Sequence, residues 1–257
     1  MLSEIPLESP DANLSSEDDV WRDQYKTRLL NAQREIHTLL KTLHWHVVPK
    51  CATERIKMYT CHSDGVRRYK IKGELHCDAQ RLMQLHTETH FDVRQHWDTP
   101  DLQSIQQHET YMTQHDGHFK IIDATFAATV WWYKLFCKPW HVMGVQRTTT
   151  HNDITRSIFC TCKHRFLNTP EHHFPVRVKA ELMVKPLSGT TAHPTRCFAR
   201  MYVDIDTSNP IYFLLITRFE TYLQHLLLRY ETLACESWDD FYSAEEIQKR
   251  DATRRGK

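Results

Sequence analysis

Apolar residues recur at steps of three and four from Tyr25 through Leu29, Ala32, Ile36 and Leu39 to Leu43. That spacing predicts an amphipathic helix that begins near Ser16 and is stopped by Pro49. A second such run, Ile211, Leu215, Phe219, Tyr222, Leu226, Tyr230 and Leu233, is widened by Leu214, Leu223 and Leu227. It predicts a long helix with a broad apolar face. Between the two helices the period falls to two. Tyr69, Ile71, Gly73 and Leu75 alternate with Lys70, Lys72 and Glu74, and Asp64-Gly65 separates this run from Arg55–His62, as in a hairpin. Asp78 can cap a helix reaching about Thr89, and a short helical stretch interrupted by Pro100 is expected around Arg94–Ile105. Strands are then expected at Glu109–Thr113, Phe119–Phe126, Trp140–Thr149, Thr155–Arg165, Val176–Pro186 and Arg196–Ile205.

Sequential strands joined by turn-sized connections imply an antiparallel sheet, and the flanking helices must cover it, giving an α+β architecture. A sheet curled around a long apolar helix can enclose a cavity. Residues 1–15 read as a loose tail, 16–235 as one domain, and 236–257 as an extension ending in the basic run Arg250–Lys257.

Composition narrows the function classes. The 257 residues include 33 Lys+Arg and 32 Asp+Glu, a net charge of +1 that gives no general argument for nucleic acid. Only six glycines are present, and no G-x-G-x-x-G or G-x-x-x-x-G-K occurs, which argues against dinucleotide folds and P-loops. No apolar stretch approaches the ~18 residues of a membrane span, and no secretory leader is visible. A cytoplasmic protein with eight reduced cysteines is expected.

Asp92-Val93-Arg94-Gln95-His96-Trp97-Asp98 resembles the D-x-R-x-x-W-D string of the START family, the steroidogenic-acute-regulatory-related lipid-transfer domains. Pro175-Val176-Arg177-Val178-Lys179-Ala180 is similar to that family's "vRa" strand, and the broad-faced last helix follows Asn209-Pro210. Together these matches span about residues 17–235. There are departures: Lys138-Pro139-Trp140-His141-Val142 stands where the family often has R-D-x-V, and the stretch before the last helix lacks glycine. Trp140 matches one of the aromatics that cage choline in phosphatidylcholine-transfer members. Glu181 and Asp123 stand near the other two, so a choline cage is not expected.

The resemblance implies a helix-grip fold, a curved antiparallel sheet wrapped around the long C-terminal helix with an internal cavity. It implies binding of one lipid or sterol, transfer between membranes by transient peripheral contact, and no cofactor. A monomer without nucleic-acid partners is expected. Arg94 and Asp98 would meet the ligand headgroup; on spacing alone they are an i,i+4 ion pair. Glu181 would join them if its strand face lines the cavity, and otherwise faces solvent. Trp140, Leu215, Phe219, Tyr222 and Leu226 would wall or gate the cavity. Cys160, Cys162 and His164 share one strand face, and His86 and His90 are one helical turn apart, but no zinc-ligand motif accompanies them, so no metal is expected. No G-x-S-x-G or other catalytic motif appears. The alternatives are a lipid sensor that never transfers and a helix-grip cyclase or hydrolase.

Overall fold

The computed structural model describes residues 16–49, 53–95, 98, 102–113, 117–127, 138–163, 169–188, 195–206 and 212–235. The proposed tail 1–15 and extension 236–257 lie outside them, as do Trp97 and His164. The chain opens with helix α1 (Ser16–Thr42), the short strand β1 (His46–Val47), and a hairpin of β2 (Ile56–Ser63) and β3 (Val66–Leu75). Helices α2 (Ala79–Thr87) and α3 (Phe91–Arg94) follow. Then come β4 (Leu102–Thr113), β5 (Gly117–Phe126), β6 (Trp140–His151), β7 (Ile154–Thr161), β8 (Phe174–Pro175), β9 (Val178–Leu187), β10 (Arg196–Asp206) and helix α4 (Tyr212–Cys235).

The strands form one sheet in the order β1-β2-β3-β10-β9-β7-β6-β5-β4, with β8 beside β6. All pairings are antiparallel except β6–β8. The last strand pairs with the third along its length, from Cys197↔Leu75 to Asp206↔Val66, and so joins the two ends of the chain's strand series. Local chemistry sets the turns. Asp64 (φ 55°) and Gly65 (φ 70°) link β2 to β3, and Asn152 (φ 48°) and Asp153 (φ 61°) link β6 to β7. Positive φ at both central residues is the type I′ geometry that two-residue hairpins favour, and Asn, Asp and Gly tolerate it best.

Side-chain alternation gives the sheet two faces. One buries Ile56, Met58, Tyr69, Ile71, Leu182, Val184, Ala199 and Met201 against Leu82 and Leu85 of α2 and Leu223, Leu226, Leu227 and Tyr230 of α4. Each large apolar side chain removed from water there contributes about 1.5–3 kcal/mol. The other face packs Phe119, Ile121, Val145, Ile158 and Cys160 against Tyr25, Leu29 and Ala32 of α1. The α+β helix-grip architecture expected from the sequence is present.

Four expectations are corrected. Helix α1 ends at Thr42 instead of running to Pro49, and the residues before that proline pair as β1. Of the described residues in the helical stretch expected around Arg94–Ile105, only Arg94 lies in a helix, at the end of α3, and β4 begins at Leu102. The expected strand Glu109–Thr113 is its second half; register shifts between Leu102 and Ser104 and between Gln107 and Thr110 break the period-two pattern that would have revealed the first half. The strand expected through Arg165 ends at Thr161, and the two residues of β8 are too short to leave a pattern.

Candidate functional site

Asp78 caps α2 by accepting a hydrogen bond from the Arg81 amide at 2.8 Å. The cap starts α2 so that His86 reaches the α4 side of the sheet. Glu88 then accepts from the amides of Thr89 and His90, each at 2.9 Å, and turns the chain into α3. One further turn places Arg94 beside Asp98, whose amide bonds the Arg94 carbonyl at 2.9 Å.

Arg94 Nε donates to Asp98 Oδ2 at 2.6 Å and Arg94 Nη1 to the Glu88 carbonyl at 2.7 Å. The Tyr222 hydroxyl, from α4, donates to Asp98 Oδ1 at 2.9 Å. Two turns along α4, the Tyr230 hydroxyl lies 3.3 Å from His86 Nδ1. Lys120 on β5 donates to the carbonyl of Thr87. Elements far apart in sequence thus converge on one polar cluster beside the apolar core, with Leu226 buried between the two tyrosines' turns.

Electrostatics follow from enclosure. Burial pushes His86 down to about 3, with Arg94 and Lys120 adding to the effect, so the ring is neutral at pH 7. Burial lowers Lys120 to about 8 against the opposing pull of Glu88. For Arg94 burial also opposes charge, but Asp98 outweighs it, with help from the two tyrosines, and the net shift is upward. The Tyr222 hydroxyl is raised well above its ordinary value by burial and then by Asp98. Arg94, His86 and Tyr222 are packed round by protein, yet none is fully inaccessible; 17% of the Arg94 side chain remains accessible against 4% for Asp98.

The structure brings Arg94, Asp98 and Tyr222 together. Trp140 opens β6, half-buried and opposite Phe126. Leu215 and Phe219 lie on the first half of α4, their side chains outside those described.

Glu181 does not join the cluster. Its strand neighbours Ala180 and Leu182 pack toward α4, so it points to the α1 face, where it accepts from Arg200 at 3.0 Å. The two possibilities for its face, cavity or solvent, are thus replaced by a third: a nearly buried ion pair on the far side of the sheet. Cys160 and Cys162 are buried under α1, and among the described residues no group of His, Cys, Asp and Glu could hold a metal. Sequence reasoning missed Lys120, Glu88 and Tyr230 as site residues. For His86 it saw only the helical spacing to His90; the usable signal was the two-turn separation of Tyr222 and Tyr230.

No protein-family model matches the chain, and no curated protein matches it in sequence. Solved structures do match in fold. Human StAR-related lipid transfer protein 5 superposes with a TM-score of 0.65 at 10% identity, covering 82% of this chain and 96% of that one. Human STARD10 gives 0.59 at 10% identity, with 91% and 86% covered. A STAR-related lipid transfer protein fragment from Xanthomonas axonopodis gives 0.53 at 14%, with 75% and 99% covered. The chain therefore has a START-like fold. Among the described residues no helix is long and apolar enough to cross a membrane.

Proposed function

We propose that this chain encloses a cavity between the sheet and α4, binds one lipid or sterol molecule in it, and carries that molecule between membranes. The observation that supports this most is the enclosed polar cluster of Arg94, Asp98, Tyr222, His86 and Tyr230 at the edge of an apolar core. A polar cluster beside an apolar interior suits a ligand with one polar end and a long apolar body. Sheltering the body is the larger requirement, since each buried CH₂ contributes about 0.8 kcal/mol. Arg94 and Asp98 are the residues proposed to meet the headgroup. Trp140 and Leu226 line the apolar part, and Leu215, Phe219 and Tyr222 belong to the helix that moves to admit the ligand.

The matched structures are named as lipid-transfer proteins, which favours a carrier over a cyclase or hydrolase. Exit requires α4 to lift. That helix is held at Glu231, which accepts from Arg55 at 2.7 Å and from the His76 amide at 2.5 Å, and at Glu220, which accepts from Tyr69 at 3.0 Å. These clasps can exchange with water; the apolar seam of Leu223, Leu226 and Leu227 must part as well, and it is the larger barrier to lifting α4.

Native mass spectrometry of protein purified from a eukaryotic cytosol, followed by extraction, tests the proposal. A stoichiometric lipid that is lost in Arg94→Ala supports it. A protein that comes empty and takes up neither sterol, ceramide nor phospholipid from vesicles refutes it. Transfer between labelled vesicles separates carrier from sensor.

A further inference from the structure

Lys57, Lys72 and Arg200 are successive cross-strand partners on β2, β3 and β10. Each lies between residues that pack toward α4: Ile56 and Met58, Ile71 and Gly73, Ala199 and Met201. All three therefore point to the α1 face, about 4.8 Å from one strand to the next. Lys70, two residues from Lys72, points the same way. Like charges directly opposite one another weaken a sheet. Glu181 answers Arg200, but among the described residues no carboxylate pairs with Lys57, Lys70 or Lys72.

Aromatic rings stand in place of counter-ions. The Lys70 ammonium lies 4.4 Å from the Trp45 ring centroid and 4.6 Å from that of Tyr59, and Lys72 lies 5.4 Å from Tyr59. Beside them, Val47 on the edge strand β1 is 51% exposed, one of only two exposed large apolar residues among those described. Cations, amphipathic rings and an exposed apolar side chain on one corner are the composition that suits a membrane–water interface. Helix α4 comes to the same corner from the other side of the sheet, because Arg55, two residues before Lys57, holds Glu231 near the end of α4.

We infer that the corner formed by Trp45, Val47, Lys57, Lys70, Lys72 and Arg200 docks the protein on an anionic phospholipid surface. The lysines meet headgroup phosphates and carboxylates, and Val47 and Trp45 enter the interfacial layer. The anionic lipid supplies the counter-charges that the fold omits, and docking brings the end of α4 to the bilayer. The inference stands independently of what the interior holds.

The test is cosedimentation of the full chain with vesicles of phosphatidylcholine alone and with added phosphatidylserine. Binding is expected only with phosphatidylserine, and weakening with salt. Lys57→Glu with Lys72→Glu should reduce it by roughly 30-fold or more, from the loss of two cations near an anionic leaflet. Val47→Ser, a surface change that leaves every charge in place, should weaken binding at high salt more than at low salt. The melting temperature and the extracted ligand of each variant are measured alongside; the ligand is expected to be unchanged and the melting temperature to stay within about 3 °C of the wild type. Equal binding to both vesicle types, undiminished binding by the double variant, or no binding by the wild-type chain would overturn the inference. Capture by polyglutamate without capture by vesicles would overturn it in favour of an acidic protein partner. An empty interior in a chain that still docks would refute the carrier and leave the docking surface intact.

Discussion

Two regions on opposite faces of the sheet, the Arg94 cluster and the lysine row of β2 and β3, handle charge in opposite ways. On the α4 face Arg94 is enclosed and bonded to Asp98, and Lys120 to a carbonyl beside Glu88. On the α1 face Lys57, Lys70 and Lys72 lie side by side without a carboxylate among the described residues. Desolvating an ion pair is rarely repaid by the attraction between its members, so enclosed pairs add little net stability and are fragile when broken. A half-exposed cation keeps most of its hydration and costs little when left alone. Enclosed charge therefore constrains the fold, and open charge leaves the fold free to be shaped by a partner.

The largest expected effect tests that contrast with one acid from each face. Asp98→Ala removes the carboxylate that Arg94 Nε and the Tyr222 hydroxyl both donate to and leaves the Arg94 charge enclosed. It should lower unfolding free energy by about 3–5 kcal/mol in urea titrations. Glu181→Gln acts on Arg200, whose side chain is 26% accessible, and the amide oxygen can still accept; about 1 kcal/mol is expected. Equal losses would remove the distinction between the faces. Arg94→Leu combined with Asp98→Leu should recover much of the Asp98→Ala loss, because no orphaned charge remains.

A smaller effect appears as a pH dependence. Burial holds His86 down at about 3, whereas in the unfolded chain a histidine titrates near 6.5. Above about 6.5 the ring is neutral in both states and stability is complete. As pH falls, the unfolded chain takes a proton that the folded chain refuses. Stability is therefore lost from about 6.5 down toward 3, with a slope from this group of about 1.4 kcal/mol per pH unit. His86→Gln keeps a hydrogen-bonding group near Tyr230 and removes that slope. Between pH 7 and pH 5 the variant should lose about 2 kcal/mol less than the wild type in urea titrations. Parallel losses would mean that the ring reaches water, and the enclosed face would then behave like the open one.

The sequence reading succeeded where one local rule decided the outcome. Asp64-Gly65 and Asn152-Asp153 announce their turns, Asp78 announces its cap, and the three-four spacing of Tyr25 to Ile36 announces α1. Arg94, Asp98 and Tyr222 were candidates because a short string and a helical stripe pointed to them. Glu181 was misplaced because period two separates the faces of a strand without saying which is inner. Here Leu182 and Val184 settle it only through contact with α4. Of β4 only Glu109–Thr113 was read as a strand; its first half was hidden by register shifts, which a periodic search reads as loss of pattern. Lys120 meets the Thr87 carbonyl and Tyr230 meets His86 through pairings more than thirty residues apart, and no local window contains that information.

The smallest expected effect has an unusual sign. Most surface substitutions are neutral or slightly destabilising. Lys57→Gln removes one member of a like-charged cross-strand pair and disturbs no ring contact, so it should raise the melting temperature by about 1 °C at low ionic strength. The gain should vanish at high salt, where the repulsion is already screened. Lys72→Gln relieves two neighbours, Lys57 and Arg200, but forfeits the contact with Tyr59. The two terms are of similar size, so its melting temperature should move less than that of Lys57→Gln, although it relieves more repulsion. Differential scanning calorimetry at two salt concentrations checks both variants. If Lys57→Gln instead lowers the melting temperature at either salt concentration, the row is a structural feature of the sheet, and the contrast between a closed face and an open one fails on the open side.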